Sequence, residues 1–383
     1  VQNGDFSQIG SEEVTNGNFS QIGSEEITNG NFSQIGSEQI TNGSFDTDTD
    51  WTKGTGWSIG GGTANCDGTQ TSNTSLYQAA LTLNKTYKFE FTISDITSGQ
   101  VRLRNGIGDS ETYIGYQNAA GTFTAYAKVN GNATLVIDGD ADFIGSIDNV
   151  SVKEVGQDWL LSGGSEVTEQ GVRINNTITG VNSFIKQSNS NFTIGKSFVL
   201  EYDVVSTNGT TLAIEQTSSI ALNTSTIGNN RKLYFQWDIS STGLVIKRLT
   251  TGTDVTITNI SLKEVGQDWI LSSTFSIAEN KLRCVSDGSY QFAYQDNVFT
   301  VGKTYKVTFD IIDYVSGVTR VRPGGGAITP ISANGSYTLY YTIASGGTQL
   351  YVERNSACDM SITNISVKEV GQNWTLGASW GIG

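Results

Sequence analysis

A nine-residue motif recurs in this chain at intervals that match the size of a whole domain. It reads SVKEVGQDW up to Trp159, SLKEVGQDW up to Trp269 and SVKEVGQNW up to Trp374. With Trp51 as the first member, the tryptophans are 108, 110 and 105 residues apart. A fixed period indicates repeated structural units, and roughly 100 residues is an ordinary size for one β-sandwich. The predicted domains, joined by short KEVGQ linkers, span 42–155, 156–265 and 266–370.

Residues 371–383, GQNWTLGASWGIG, match the opening of a unit, for which the first domain has DWTKGTGWSIGGG. They are therefore predicted to be the start of a truncated fourth unit, or a strand that docks on a neighbour.

A second, shorter repeat occupies the first 41 residues. NGDFSQIGSEEVT begins at Asn3, NGNFSQIGSEEIT at Asn16 and NGNFSQIGSEQIT at Asn29, which gives a period of 13. Each copy has an Asn-Gly turn signal, one phenylalanine and two aliphatic residues, which predicts two short strands. Because one copy cannot bury its apolar side chains alone, we predict that residues 1–41 stack as a β-solenoid or between chains in a fibre shaft. The alternative is a recent duplication that forms a flexible leader.

Alternating apolar and polar residues mark strands inside the long units. Examples are YKFEF at 87–91, FVLEY at 198–202 and YKVTF at 305–309, each bounded by Gly or Asn turn signals. This period of two is typical of half-buried strands, and no capped amphipathic helix is evident. The sequence predicts an all-β chain of three tandem β-sandwich domains preceded by the 13-residue β-repeat segment.

The composition excludes several functional classes. Without histidine, the chain has no Ser-His-Asp or Cys-His nucleophile system and no His-ligated zinc or haem. The formal net charge of −14 disfavours nucleic-acid binding, which needs a basic surface. No apolar run approaches the roughly 18 residues of a membrane span. Catalysis by carboxylates alone survives, as in glycoside hydrolysis, but no acidic pair at the required separation stands out.

Two of the three cysteines lie at one position of the long repeat. Cys66 and Cys284 each follow the repeated tryptophan by 15 residues, and Ile174 occupies this place in the second domain. A position that accepts Cys and Ile is expected to be a buried apolar site. The sequence leaves open whether Cys284 and Cys358 form a bridge.

The segments TNGSFDTDTDWTKGTGWSIGGGTA, TYKFEFTISD and FIGSIDNVSVKEV resemble carbohydrate-binding-module families 4/9, which are galactose-binding-like jelly rolls. The resemblance is greatest to versions in structural proteins of tailed bacteriophages. It covers nearly all of the first domain, most of the third and the ends of the second. It implies jelly-roll sandwiches that bind sugars with aromatic and polar side chains and often hold a structural calcium, in fibres that are often trimers.

Two Arg-x-Arg strands are the main candidates for glycan contact. Such spacing places both guanidinium groups on one face of a strand, where planar donors and nearby aromatic rings suit sugar hydroxyls or carboxylates. The alternative is an exposed pair that forms salt bridges. The predicted ligand-binding residues are Arg102, Arg104, Tyr113, Tyr116, Tyr290, Tyr294, Arg320 and Arg322.

Alternating carboxylates at Asp138, Asp140 and Asp142 are the candidate calcium ligands, with a solvated turn as the alternative. Trp51, Trp159, Trp269 and Trp374 are expected to be structural, because each lies beside a linker.

These observations favour a non-enzymatic virion structural protein of the fibre, tail or capsid-decoration type, located on the virion surface or otherwise extracellular. Its expected partners are further copies of itself, as a trimer or filament, and cell-surface or environmental glycans, with neither nucleic acid nor membrane insertion. The alternative is a bacterial extracellular adhesin or filament subunit with glycan-binding modules. Cofactors are not expected, apart from the calcium just mentioned.

Overall fold

The computed structural model describes residues 5, 7–106, 112–130, 132–176, 182–189, 191–241, 243–326, 328–344, 346–354 and 356–374. Every regular element in these ranges is a β-strand, which confirms the all-β prediction. Within the same ranges, no helix of the length and apolar character needed to cross a membrane is found.

The strands fall into four groups along the chain. The N-terminal repeats contain β1 (Ile9–Glu12), β2 (Ile22–Glu25) and β3 (Ile35–Glu38). Domain 1 contains β4 (Thr52–Lys53), β5 (Trp57–Gly60), β6 (Thr63–Asp67), β7 (Thr74–Ala79), β8 (Thr86–Ser98), β9 (Val101–Asn105), β10 (Thr112–Gln117), β11 (Gly121–Lys128), β12 (Thr134–Gly139) and β13 (Ile144–Val155). Domain 2 contains β14 (Leu160–Ser162), β15 (Gly164–Thr168), β16 (Gly171–Asn175), β17 (Phe184–Ser188), β18 (Ser197–Thr207), β19 (Leu212–Ile214), β20 (Ile220–Ala221), β21 (Gly228–Gln236), β22 (Gly243–Arg248) and β23 (Asp254–Val265). Domain 3 contains β24 (Ile270–Leu271), β25 (Phe275–Ala278), β26 (Lys281–Ser286), β27 (Gln291–Gln295), β28 (Thr304–Ser316), β29 (Thr319–Pro323), β30 (Gly335–Thr342), β31 (Leu350–Arg354) and β32 (Cys358–Val370).

Each domain consists of two facing sheets, and the chain alternates between them as in jelly-roll sandwiches. One sheet has the order β11-β8-β13-β6-β5 in domain 1, β21-β18-β23-β16-β15 in domain 2 and β30-β28-β32-β26-β25 in domain 3. The facing sheet, here called the second sheet, has the order β4-β7-β12-β9-β10 in domain 1, β14-β17-β22-β19-β20 in domain 2 and β24-β27-β31-β29 in domain 3. The tandem sandwiches predicted from the long repeat are therefore present.

The alternating sequences produce the sandwich cores. In β8, Phe89, Phe91 and Ile93 are at most 3% exposed, whereas the intervening Lys88 and Glu90 are partly exposed. Side chains of successive strand residues point to opposite faces, so one face of β8 lies in the core and the other meets solvent. The β28 strand of domain 3 repeats this pattern.

The 13-residue repeats do not stack on one another in the described residues, so the predicted β-solenoid is wrong. The strands β3, β2 and β1 instead pair antiparallel with β13, β23 and β32, the closing strands of domains 1, 2 and 3. The last repeat therefore docks on the first domain and the first repeat on the last. Each repeat buries its second aliphatic residue against a sandwich, together with the phenylalanine that follows it, whereas Ile9, Ile22 and Ile35 remain about half exposed.

Side-chain clamps hold each repeat to its domain, as domain 2 shows. The Glu25 carboxylate accepts hydrogen bonds from the Leu262 amide, at 2.8 Å, and from the Ser261 hydroxyl. The buried Gln187 accepts from the Thr28 N–H and donates to its carbonyl, both at 2.8 Å. The same bonds are made by Glu38 and Gln78 in domain 1 and by Glu12 and Gln295 in domain 3.

An Asn-Gly turn and a phenylalanine complete the docking. In domain 2, the Gly30 carbonyl accepts from the Ile260 amide at 2.9 Å, and a Cβ on Gly30 would lie 1.8 Å from the Ile260 oxygen. Phe32 follows, with its ring centroid 5.4 Å from that of Trp159. Its φ of +58° is unusual for a bulky residue, and such backbone persists where packing holds it. The equivalent pairs are Phe45 with Trp51, at 5.3 Å, and Phe19 with Trp269, at 5.2 Å.

The two joints between domains are built alike. Tyr126 of domain 1 packs against the core of domain 2, and Tyr234 of domain 2 packs against the core of domain 3. Lys128 Nζ donates to the Leu161 carbonyl at 3.3 Å across the first joint. At the second joint, Gln236 Nε2 donates to the corresponding carbonyl of Leu271, also at 3.3 Å.

All three cysteines are buried thiols. Burial raises the pKa of the Cys66 thiol, consistent with an apolar packing position. The sulfur atoms of Cys284 and Cys358 lie 2.9 Å apart on the neighbouring strands β26 and β32. The two thiols are therefore in contact.

Candidate functional site

The outer face of the second sheet of domain 3 carries a concentrated set of aromatic and charged side chains. Cross-strand pairing builds one row from Ile270, Tyr294, Tyr351 and Arg322. A second row consists of Phe292, Glu353 and Arg320. The alternate residues, such as Ala293 and Val352, are fully buried in the core. We call Tyr290, Phe292, Tyr294, Tyr351, Arg320, Arg322 and Glu353 the aromatic face.

The rings of the aromatic face form a continuous cluster. Tyr294 and Tyr351 are stacked, with centroids 5.3 Å apart and an interplanar angle of 24°. Phe292 lies 5.7 Å from Tyr294 and 5.8 Å from Tyr351. Tyr290 extends the cluster at 5.7 Å from Phe292 and is 59% exposed, so the platform is open to solvent at this end. Ile270, 48% exposed, adds apolar surface at the other end.

Glu353 organises the polar part of the face. Its side chain is 1% exposed, and its oxygens accept from Arg322 Nε at 2.9 Å and Nη2 at 2.8 Å. The Tyr290 hydroxyl donates to the same carboxylate at 2.6 Å. Desolvation of the phenol, with this hydrogen bond, raises the pKa of Tyr290 to about 12. The hydrogen bond to Glu353 fixes the orientation of the phenol.

The equivalent face of domain 1 holds fewer rings. Arg104 is 7% exposed and donates from Nη2 to Asp138 Oδ1 at 3.1 Å, within a bidentate pair. Tyr116 is 53% exposed and lies opposite Arg102 in the sheet. Tyr77 is partly buried on β7, two strands from the β9 strand that carries the arginines. This face presents separated rings around a closed ion pair.

Domain 2 carries the same ion pair with its charges exchanged. In the matching sheet positions, Lys247 Nζ lies 3.1 Å from Glu215 Oε1. Glu215 thus occupies the position of Arg104, and Lys247 occupies the position of Asp138. A cross-strand pair that survives charge reversal is explained by sheet stability, which opposite charges on neighbouring strands improve.

The structure separates the predicted ligand residues into two groups. Tyr290, Tyr294, Arg320 and Arg322 lie together on the aromatic face, whereas Arg102, Arg104 and Tyr116 lie on domain 1. The side chain of Tyr113 is outside the described residues. Sequence reasoning missed three members of the face: Phe292, Tyr351 and Glu353. Their alternation with Ala293 and Val352 is the signal that could have revealed them.

The predicted calcium site at Asp138, Asp140 and Asp142 is wrong. Asp138 is 3% exposed and its carboxylate is occupied by Arg104 and Ser75. Asp140 instead accepts from the Asp142 amide at 3.2 Å in the turn after β12. Among the described residues, no group of three acidic or cysteine side chains is arranged to hold a metal ion.

The repeated tryptophans take no part in these faces. Trp51, Trp159 and Trp269 are each 7% exposed and pack against the phenylalanines of the repeats. Trp374 is 42% exposed, and the residues that follow it lie outside the described ranges.

The aromatic face is suited to hold a ligand that has both flat apolar surface and hydroxyl groups. Stacked rings offer apolar area at little conformational cost, and the Tyr hydroxyls provide polar contacts at their rims. Arg320 and Arg322 supply planar donors beside the rings. With two arginines and one glutamate, the face is locally cationic on a chain whose formal net charge is −14.

Comparison with known proteins gives no family assignment, since no family model and no curated protein matches the chain. Among solved structures, a CBM22 tandem domain from Paenibacillus barcinonensis is 11% identical, with 88% of this chain and 98% of that chain covered and a TM-score of 0.24. A triple jelly-roll protein of an archaeal virus turret is 13% identical, with coverages of 88% and 90% and a TM-score of 0.21. A protein of Sulfolobus Turreted Icosahedral Virus is 12% identical, with coverages of 84% and 90% and a TM-score of 0.21. At these values, the assignment of the fold rests on the sheet topology described above.

Proposed function

We propose that this chain is a non-enzymatic structural protein of a virion surface, of the fibre, tail or capsid-decoration type, whose third domain attaches to carbohydrate. The observation that carries the attachment role is the open cluster of four rings on one face of domain 3, with arginine donors at its edge. The apolar faces of pyranose rings pack on such aromatic surfaces, while their hydroxyls bond to polar rims.

The structural role is supported by how the domains are held. Equivalent contacts build both interdomain joints, and every sandwich is closed by a strand from the N-terminal repeats. Such a design resists relative movement of neighbouring domains, because each docking segment is covalently continuous with the next. This suits a load-bearing appendage that presents one binding face.

The chemistry of the aromatic face favours a glycan with carboxylate or closely spaced hydroxyl groups. Arg320 is partly exposed opposite Glu353, whereas Arg322 is largely occupied by that carboxylate. One protein–sugar contact is usually weak, so several copies on one particle would gain avidity through effective concentration.

The carbohydrate role is tested by screening the chain on a glycan array and measuring the strongest glycan by calorimetry. Tyr294→Ala and Tyr351→Ala should each lower the affinity by roughly tenfold or more, since stacked rings dominate such contacts. The matched control is Tyr340→Ala, because Tyr340 is 39% exposed on the other sheet of the same domain. Equal affinity in all three variants, or no glycan bound at all, would contradict the proposal.

The virion role is tested separately by immunogold labelling with antibodies against domain 3. Gold on phage particles is the expected result. Gold along cell-attached filaments would instead establish the adhesin or filament alternative.

A further inference from the structure

Three segments of thirteen residues occupy three equivalent grooves on the sandwiches. These docking segments are 7–19 on domain 3, 20–32 on domain 2 and 33–45 on domain 1. Each groove is bounded by the closing strand, the clamping glutamine and the repeated tryptophan. These grooves are separate from the aromatic face, and docking in them does not involve carbohydrate.

The docking segments are nearly interchangeable. Segments 7–19 and 20–32 differ only at Val14 and Ile27, which are buried to the same extent at 6% and 5% exposure. Two bonds to the Glu26 carboxylate are particular to domain 2, from Asn191 Nδ2 at 2.7 Å and from Asn189 Nδ2 at 2.9 Å, and both would be equally available to Glu13 of the other segment. The contacts therefore contain almost no information about which segment belongs on which domain.

We propose that each groove is a peptide-recognition site for this segment itself, and that the groove of domain 3 accepts the docking segment of a second copy of this chain. The recognition combines strand addition, in which backbone pairing supplies affinity, with the Glu, Gly and Phe positions that supply specificity. Exchange of an identical element between copies creates no new contact and is a low-cost route to association.

Connectivity singles out domain 3 for this exchange. The segment on domain 1 runs directly from Phe45 into Trp51 of the same domain, so its partner is fixed by the chain. Docking segment 7–19 has no direct connection to domain 3 and reaches it by way of segment 20–32, which is docked on domain 2; Glu12 is 355 residues from its partner Val367. Its occupancy in cis therefore depends on the effective concentration that this tether sets, and the identical segment of a second copy competes for the groove where copies are held close together.

The first experiment empties the groove of domain 3 in the full chain. Gly17→Val achieves this, because a Cβ on Gly17 would lie 1.9 Å from the Ile365 oxygen. The matched control is Gly60→Val, where no atom lies within 4 Å of the added Cβ. The probe is a fluorescent synthetic peptide with the sequence of residues 20–32, followed by anisotropy.

The Gly17→Val chain should bind one peptide, whereas wild type and Gly60→Val should bind roughly tenfold more weakly or not at all, because their own segment competes. A peptide with valine at the Gly30 position should lose binding. A folded Gly17→Val chain that does not bind the peptide would overturn the inference. Equal peptide affinities of the Gly17→Val chain and wild type would also overturn it. If Gly17→Val does not fold, Phe19→Ala provides the second variant, since it removes the ring that packs on Trp269.

The second experiment tests whether the segment of another copy binds. An acceptor chain with Gly17→Val and Val370→Cys is mixed with a donor chain carrying Ile9→Cys, because Ile9 and Val370 are register partners. Under mild oxidation, a disulfide-linked heterodimer is expected. A donor with Tyr340→Cys should give none. Equal yields from both donors, or no heterodimer, would show that the groove does not accept a second copy.

Discussion

Replacement of one phenylalanine in the repeats should destabilise one particular domain. Phe32 is 5% exposed and packs on Trp159 in domain 2, so Phe32→Ala removes a buried ring from that core. Truncations of this kind cost about 3–5 kcal/mol in the free energy of unfolding. By the usual conversion of about 1.4 kcal/mol per tenfold, local opening of domain 2 should become roughly 10²- to 4 × 10³-fold more frequent.

Hydrogen exchange followed by mass spectrometry measures this effect. The Ile260 amide, which donates to Gly30, and its neighbours in β23 should lose protection, while the closing strands of domains 1 and 3 keep theirs. Phe19→Ala should move the same loss to domain 3. Ile22→Ala is the control, because Ile22 is 54% exposed and its truncation costs little. Faster hydrogen exchange in a different domain, or in none, would refute the reverse-order docking of the repeats on the domains.

Three further outcomes follow from individual contacts. Arg104→Ala leaves the Asp138 carboxylate, 4% exposed, buried without its partner, so domain 1 should lose about 3–5 kcal/mol in a denaturant titration. Oxidised glutathione should accept two electrons from Cys284 and Cys358 and link them, so that unfolded protein titrates one thiol instead of three. Hydrogen bonds from Arg173 hold the pKa of Asp254 below its ordinary value, so this carboxylate stabilises domain 2 at pH values above that ordinary value, and the contribution is lost as the pH falls through the lowered pKa. Asp254→Asn should therefore flatten the acid side of the melting temperature plotted against pH; an unchanged profile would exclude this residue as its source.

Local sequence patterns were sufficient to predict the sandwiches but not where the 13-residue repeats dock. Strand alternation in β8 and β28 is encoded within a few residues, so the fold class can be predicted from short windows. The pairing of Glu12 with Val367 joins residues 355 apart, and no local rule specifies such a contact. One clue was present at Asn42-Gly43-Ser44-Phe45, where a fourth turn leads directly to Trp51 and shows the packing that the other copies repeat at a distance.

The candidate site was only partly predictable for a related reason. Arg-x-Arg on a strand is visible in the sequence, and it correctly indicated one face of the sheet. Whether such arginines meet a ligand or a carboxylate depends on the residue across the strand, which only the register supplies. In domains 1 and 3 a carboxylate lies on the neighbouring strand: Asp138 binds Arg104, and Glu353 binds Arg322.

Comparison of the three second sheets separates what the fold needs from what a ligand would use. All three have a diagonal ion pair at the same positions, and domain 2 keeps it with exchanged charges, so the pair itself belongs to the sheet. The stacked rings differ: Tyr294 and Tyr351 have no aromatic counterpart in the matching strands of domain 2, which carry Lys186 and Val245 instead. Domain 1 has a single ring at these positions, Tyr77 opposite Val136, so the stacked pair is confined to domain 3 and requires an explanation beyond the shared ion pair. A cross-strand aromatic pair also stabilises the sheet, but a partly exposed ring cluster in addition offers apolar surface to a ligand, which is why the tyrosines, rather than the arginines, are the decisive residues to replace.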